Sequence, residues 1–211
     1  HLNDLVELNV RDNEKISSLP NCKNLKILDA SNNCKINNDN IKHLTNLQIL
    51  NASGKCGISS YNMINLPNLI ELNASLNIKI YDLSFCPNLK ILYTSGSGIS
   101  SKDISHLHNL IELYACRNSN ISDLSGCPNL EILYASYKCG ISSKNINHLH
   151  GLTKLYANDN SKINDLSGCP NLKILHAANK CGISSKNIQH LHNLIELNVN
   201  NNSKINELFG C

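Results

Sequence analysis

One spacing of apolar residues recurs along the entire chain. A leucine, a second leucine three residues later and a small residue two residues after that appear in the form NLxxLxA, with an isoleucine further on. In an extended segment alternate side chains point to the same face, so the second leucine and the small residue share one buried face. Mostly polar residues follow this run in each copy. The pattern predicts one short, half-buried strand in every copy.

The copies divide the chain into ten units of 20 to 22 residues, the last one truncated. The units begin near residues 4, 24, 46, 68, 88, 109, 129, 151, 171 and 193. One unit cannot bury its leucines alone, whereas neighbours stacked on it can. We therefore predict a single elongated array over residues 1–211. Residues 1–8 (HLNDLVEL) match residues 190–197 (HLHNLIEL) and so enter the repeat partway, and the last unit is truncated. We therefore expect the array to be a fragment of a longer chain.

Two representative units carry a family resemblance. The short unit NLIELYACRNSNISDLSGCP (109–128) and the long unit NLEILYASYKCGISSKNINHLH (129–150) resemble the leucine-rich repeat family, whose pattern is LxxLxLxxN/CxL. The resemblance covers nearly the whole chain. It implies an α/β solenoid, a right-handed horseshoe with a parallel β-sheet on its concave face and short helices or 3₁₀ turns on its convex face. Alanine at the third apolar position, where the family usually has leucine, implies a thinner core.

The return segments of long and short units differ. In the long unit, SSKNINHL predicts a short helix with Ser142 as its N-cap and with Ile146 and Leu149 facing inward. In the short unit, Pro128 removes a backbone donor and disfavours helix at the residue before it. We therefore expect turns or a little 3₁₀ helix in short units.

The concave face holds the candidate binding residues. We count positions from the first leucine of each unit and expect positions three, five and seven to point out of the sheet. Aromatic neighbours on adjacent strands stabilise one another, and tyrosine is also favoured at protein interfaces. The sequence therefore predicts a partner-binding surface, with packing alone as the alternative interpretation. Its residues are Tyr93, Tyr114, Tyr134, Tyr156 and His176 at position five, and Ile91, Glu112, Ile132, Lys154 and Ile174 at position three.

Nine of the ten cysteines occupy two repeating registers. One slot of the short units holds Cys22, Cys86, Cys127, Cys169 and Cys211, and the tenth position of long units holds Cys34, Cys56, Cys139 and Cys181. Repeated registers of small apolar side chains predict reduced core thiols in a reducing compartment, rather than disulfides or a zinc site. The tenth cysteine, Cys116, stands at position seven, where most units have serine, and we assign it no chemistry.

Charge and motifs narrow the function classes. A net charge of +3 is too small to indicate nucleic acid or an anionic membrane as partner. No apolar run approaches the roughly 20 residues of a membrane span. Nucleophile-elbow, P-loop, HExxH and GxGxxG motifs are absent, and the recurring HLH triplets are spaced too widely to share a metal. We therefore expect no enzyme activity and no bound metal or cofactor. We expect the histidines to be solvated or bonded to nearby groups.

A second resemblance bears on biological role. The Asn-, Ile-, Lys- and Ser-rich composition and segments such as CGISSKNI resemble leucine-rich repeat proteins of large DNA viruses that infect amoebae, and of AT-rich protists. It implies a viral protein, intracellular (cytoplasmic) or virion-associated, that binds a partner protein as a substrate receptor or host-interaction protein. The alternative is a structural component of a larger particle or filament that self-associates through uncapped ends. An extracellular adhesion array is the third interpretation.

Overall fold

The computed structural model describes residues 2–19, 22–32 and 34–208, apart from the side chain of Asn62. Ten three-residue strands form one parallel sheet in chain order, which confirms the predicted solenoid. The strands are β1 (Glu7–Asn9), β2 (Ile27–Asp29), β3 (Ile49–Asn51), β4 (Glu71–Asn73), β5 (Ile91–Tyr93), β6 (Glu112–Tyr114), β7 (Ile132–Tyr134), β8 (Lys154–Tyr156), β9 (Ile174–His176) and β10 (Glu196–Asn198).

The strands pair without any slip in register. In the β6–β7 pair, for example, Leu113 lies opposite Leu133 and Tyr114 lies opposite Tyr134. Each internal strand buries its central leucine and leaves the two flanking residues half-buried. Because the register is constant, residues at one repeat position form a continuous row across the sheet. Positions three and five therefore form two parallel rows on the open face.

The opposite side of the coil alternates between helices and turns. Within the part of the chain that the structure describes, four helices lie there, α1 (Asn38–Ile41), α2 (Ser101–Ile104), α3 (Ser143–Ile146) and α4 (Ser185–Ile188), together with a 3₁₀ helix at Ser60–Asn65. The predicted helix of the unit at 129 is confirmed: Ser142 is its N-cap, and Ile146 and Leu149 are buried. The described short units return through turns, as their proline predicts.

Buried asparagines at position nine of the short units bind the preceding long unit. The Nδ2 of Asn160 donates to the carbonyl oxygens of Ala135 at 2.8 Å and Ile141 at 3.1 Å, and lies 3.2 Å from the sulfur of Cys139. Asn77 repeats this arrangement two pairs of units earlier. The backbone around the cysteine of one unit is thus held by hydrogen bonds from an asparagine of the next unit.

The predicted core thiols are confirmed where the structure describes them. Eight of the nine described cysteines are buried, and all nine are free thiols. Cys211 lies outside the described residues. Burial, followed by the charge of a nearby aspartate, raises the pKa of Cys86, Cys127 and Cys169 to about 12.

The histidines of the HLH triplets at 106–108 and 148–150 are locally bonded. His106 Nε2 lies 2.9 Å from the Leu83 carbonyl oxygen in the preceding unit, and His108 Nδ1 lies 3.1 Å from the Gly126 carbonyl oxygen in the following one. The equivalent histidines of the unit at 129 make the same two contacts. This confirms the sequence expectation and ties three successive units together along the convex side.

The expectation for position seven is wrong in three units. Ser31, Ser136 and Ala178 are only 1%, 5% and 6% exposed, and the Ser136 hydroxyl donates to the Tyr156 carbonyl oxygen at 3.0 Å. The strands end at position five, and position eight adopts a left-handed backbone, as in Tyr137 with φ 63°. Strand alternation therefore stops before position seven is reached.

Candidate partner-binding face

Four tyrosines of β5 to β8 form a continuous stack on the open face. The ring centroids of Tyr93 and Tyr114 are 4.0 Å apart, and those of Tyr114–Tyr134 and Tyr134–Tyr156 are each 4.1 Å apart. The interplanar angles are 14°, 13° and 2°, so the rings are nearly parallel. The aromatic ladder that the sequence predicts is thus present as one packed object.

The ring spacing is shorter than the spacing of the strands that carry the rings. Neighbouring strands lie about 4.8 Å apart, and on a concave surface side chains converge as they leave the sheet. Isolated aromatic pairs prefer offset or edge-to-face geometry, so the shared register holds these rings face to face. Each inner ring consequently has both faces covered by its neighbours. What the stack presents outward is a row of ring edges and hydroxyl groups.

His176 ends the stack on β9. Its ring meets Tyr156 edge-on, with centroids 4.7 Å apart and planes at 71°. Its Nε2 lies 2.7 Å from a carboxylate oxygen of Glu196 on β10. That contact fixes the imidazole orientation and prevents it from continuing the parallel stack.

The row at position three runs alongside the tyrosines. Ile91, Ile132 and Ile174 are half-buried there and alternate with Glu112 and Lys154. The Tyr114 hydroxyl donates to a carboxylate oxygen of Glu112 at 2.6 Å, which links the two rows. All ten candidate residues therefore lie on five consecutive strands of one open surface, as their repeat positions require.

The surroundings of Tyr93, Tyr114 and Tyr156 favour the protonated form of their hydroxyls. Burial is the largest cause that raises the pKa of Tyr93, Tyr114 and Tyr156, and the Glu112 carboxylate adds to the effect at Tyr93 and Tyr114. Burial and then the charge of Glu112 also raise the pKa of Glu71, which lies on β4 beyond the end of the stack. These three tyrosines thus offer neutral hydroxyls, and carboxylates flank the β4 end of the row.

A strained rim beside this face was not anticipated from the sequence. Every described unit has a left-handed residue at position eight, and three of these residues are neither glycine nor Asn or Asp: Leu76, Arg117 and Tyr137. The left-handed region costs such residues about 1–2 kcal/mol. The Arg117 guanidinium lies over the Tyr137 ring, 5.1 Å from its centroid. The signal in the sequence was the absence of Gly, Asn or Asp at this repeat position.

Residues 2–19, 22–32 and 34–208 hold neither a cluster of metal ligands nor a membrane-spanning helix. No group of three His, Cys, Asp or Glu residues there is arranged to hold a metal ion. No helix in those ranges is both long and apolar enough to cross a membrane.

Comparison with known proteins places the chain beside solved structures from Listeria monocytogenes. An internalin, InlF, superposes with a TM-score of 0.64 at 21% sequence identity, covering 99% of this chain and 59% of that one. An internalin C2 superposes with a TM-score of 0.58 at 22% identity, covering 99% and 76%. This chain thus spans less than two thirds of InlF. No family model and no curated protein matches the sequence. At this identity the likeness shows the fold, a leucine-rich repeat solenoid.

Proposed function

We propose that this chain is a non-catalytic interaction module that binds a partner protein through its concave sheet. The observation that carries the proposal is the stack of Tyr93, Tyr114, Tyr134 and Tyr156 on an open face. Stacking and the shared register fix these rings before any partner arrives, so little side-chain entropy is lost on binding. Tyrosine edges and hydroxyls combine apolar area with hydrogen bonding, which suits a protein surface.

The flanking rows add selectivity to this surface. Isoleucines at position three supply apolar area, while Glu112 and Lys154 are charges of opposite sign two strands apart. A partner must match both signs in order, which favours one orientation over its reverse. Charged residues at the edge of such an interface affect specificity more than affinity.

The test begins with affinity capture from the native source, followed by direct titration of the captured protein against purified chain. The test variant replaces the four ladder tyrosines with serine, and its folding is checked by circular dichroism. The matched control, Ile78→Ser with Ile195→Thr, removes two exposed apolar side chains outside the ladder and introduces residues that the unit at 151 holds at the same positions. We expect the ladder variant to lose at least about 100-fold in affinity and the control to retain it. Equal binding by all three proteins would refute the concave site.

The identity of the captured protein separates the finer forms of this proposal. If the captured protein is the substrate of a ubiquitin ligase, this chain acts as the substrate receptor of that ligase. If the captured protein belongs to an infected host cell, this chain acts as a host-interaction protein of viral origin. Capture of a cytoplasmic partner would support intracellular location, and capture of capsid proteins would support a virion-associated one.

A structural or assembly role, as a packing element of a larger particle or filament, is the second candidate. The near-identical pairs of units at 88–128 and 129–170 favour it, because units of one design stack on one another regularly. Sedimentation that shows open-ended polymers growing with concentration would support assembly, and a single size at all concentrations would oppose it.

A further inference from the structure

Two adjacent units carry large apolar side chains on their convex side. In the unit at 46, Tyr61 is 82% exposed and Ile64 is 53% exposed. In the unit at 68, Tyr81 is 57% exposed and Phe85 is 46% exposed. We call these four residues the convex apolar patch.

Comparison between units shows that the fold does not require these residues. The corresponding positions of the pair at 129 and 151 are polar or glycine; in the same order they are Lys144, Asn147, Asn164 and Gly168. The pair at 88 and 109 follows the same rule, with Lys102, Ser105, Ser122 and Gly126. All these units build the same strands and bury the same leucines. An apolar surface that folding does not need usually marks contact with another molecule.

The four side chains lie on one continuous surface. Tyr61 and Ile64 are three residues apart in the 3₁₀ helix, so they share one face of it. The backbone N–H of Tyr81 donates to the hydroxyl of Ser60 at 2.8 Å, which places Tyr81 beside that helix. Phe85 and Ile64 occupy repeat positions whose counterparts in the units at 151 and 129, Gly168 and Asn147, lie against each other.

Where a glycine occupies the position of Phe85, the two backbones approach each other very closely. A Cβ added to Gly168 would lie 2.0 Å from the carbonyl oxygen of Asn147. Phe85 carries a Cβ at this position, so the backbone opposite it must lie differently. The unit opposite has the 3₁₀ helix in place of the α-helical turn seen in the other long units. The substitutions at residues 64 and 85 and the altered helix therefore belong to one local rearrangement.

Opposite charges flank the patch, one unit before it and one unit after it. Asp39 lies in α1, one unit before the patch, and Asn38 Nδ2 of that helix donates to the Ser59 hydroxyl at 2.7 Å, at the start of the 3₁₀ helix. Lys102 lies in α2, one unit after the patch, and lines a groove together with Tyr81 and the carboxylates Asp82 and Asp103. Asp39 pairs with Lys42 at 3.4 Å, but this pair is exposed and contributes little.

We propose that the convex apolar patch is the interface of a two-fold symmetric dimer of this chain. Its exposed surface is on the order of 500 Å², and two copies together reach about 1,000 Å², where specific interfaces begin. A two-fold axis through the patch sets the arrays antiparallel. Lys102 of one copy then faces Asp39 of the other, twice per dimer. An apolar centre with a self-complementary charged rim is what such an interface needs.

Analytical ultracentrifugation of the purified chain over a range of concentrations tests this proposal. The patch variant combines Tyr61→Lys, Ile64→Asn and Tyr81→Asn, each of which introduces a residue that another unit already holds there. The matched control, Leu76→Asn with Ile78→Ser, removes two exposed apolar residues of the same unit near the strand end, by the same rule. We expect the wild type and the control to dimerise and the patch variant to be monomeric, with a dissociation constant at least about 100-fold higher.

A charge exchange tests the orientation. Lys102→Asp and Asp39→Lys should each raise the dissociation constant several-fold, and the double variant should restore it. A wild type that stays monomeric when concentrated, or a patch variant that dimerises as well as the control, would overturn the proposal. Single variants without effect, or a double variant weaker than both, would overturn the antiparallel arrangement. Open-ended polymers that persist in the patch variant would assign self-association to the ends of the array instead.

Discussion

Removal of one buried asparagine should destabilise the array more than removal of any surface asparagine. Asn160 is only 2% exposed. It donates to two backbone carbonyls of the preceding unit, and its Oδ1 accepts from the Lys162 backbone N–H at 3.1 Å. In Asn160→Ala two carbonyl oxygens and one N–H lose this partner inside the core. The perturbation therefore acts on the junction between two units.

The magnitude follows from these three groups. A buried polar group without a partner costs about 1–3 kcal/mol. The Cys139 thiol still donates to the Ala135 carbonyl at 3.1 Å, which reduces the loss at that oxygen. We expect the free energy of unfolding to fall by about 3 kcal/mol. The control is Asn171→Ala, an exposed asparagine with one bond to the His150 carbonyl at 2.8 Å, where about 0.5–1 kcal/mol is expected.

Urea denaturation followed by circular dichroism gives the free energies for both variants. Because repeat arrays can unfold in segments, hydrogen exchange at residues 135–163 provides a local measure of the same junction. A loss below about 1 kcal/mol for Asn160→Ala, or one equal to that of Asn171→Ala, would refute the claim that these bonds hold the units together.

An isosteric change sharpens the same test. Asn160→Asp keeps the acceptor oxygen but replaces the donating amide with a second oxygen that faces two carbonyls. The ionised form is repelled there, whereas the protonated form can donate to one of them. The difference in stability between this variant and the wild type should therefore exceed that of Asn160→Ala at neutral pH and shrink in acid. A pH-independent difference would show that the carboxyl group had moved away from the carbonyls.

Three further predictions follow from the structure. Gly168→Ala places a Cβ 2.0 Å from a backbone oxygen and should cost about 3 kcal/mol or more in urea denaturation, whereas Gly151→Ala, with its nearest contact at 3.9 Å, should be nearly neutral. Leu76→Asn relieves a left-handed backbone at φ 60° and should stabilise by about 1 kcal/mol in the same assay; no gain would show that the strain is absent. Because the pKa of the Cys127 thiol is raised from 9.0 to about 12 in the fold, its contribution to stability is complete below pH 9.0 and should be lost as the pH rises from 9.0 towards about 12. Thiol labelling at neutral pH should reach Cys116 first, and equal labelling of the two cysteines would contradict that burial.

The rows on the sheet could be predicted because they depend on two regularities alone. A strand exposes alternate residues, and a constant repeat keeps equal positions opposite each other. The tyrosines on neighbouring strands must therefore lie next to each other, whatever the curvature of the array. They are Tyr93, Tyr114, Tyr134 and Tyr156. The sequence also predicted the thiol registers and the helix after Ser142, since these rest on local pattern and capping chemistry.

Features that depend on how the backbone turns between units could not be predicted in the same way. Position seven was expected on the open face because strand alternation was extended too far, and the left-handed residue that ends it has no fixed type. The pairing of Asn160 with the preceding unit joins position nine of one unit to position ten of another, and their spacing changes with unit length. Such contacts require the coil geometry, which the period alone does not contain.

Functional residues can be separated from structural ones by comparing the units of a repeat array, because every unit packs its core in the same way. Positions one and four hold leucine in every unit, so they reflect only the packing of the core. Tyrosine at position five occurs in four consecutive units, while Asn51, Asn73 and Asn198 occupy that position on other strands of the same sheet. Since those strands form equally well, the fold does not demand tyrosine there. The same reasoning identifies Tyr61 and Phe85 on the convex side. The two surfaces lie on opposite sides of the coil, so one copy can bind a partner protein on its concave sheet while its convex patch holds a second copy.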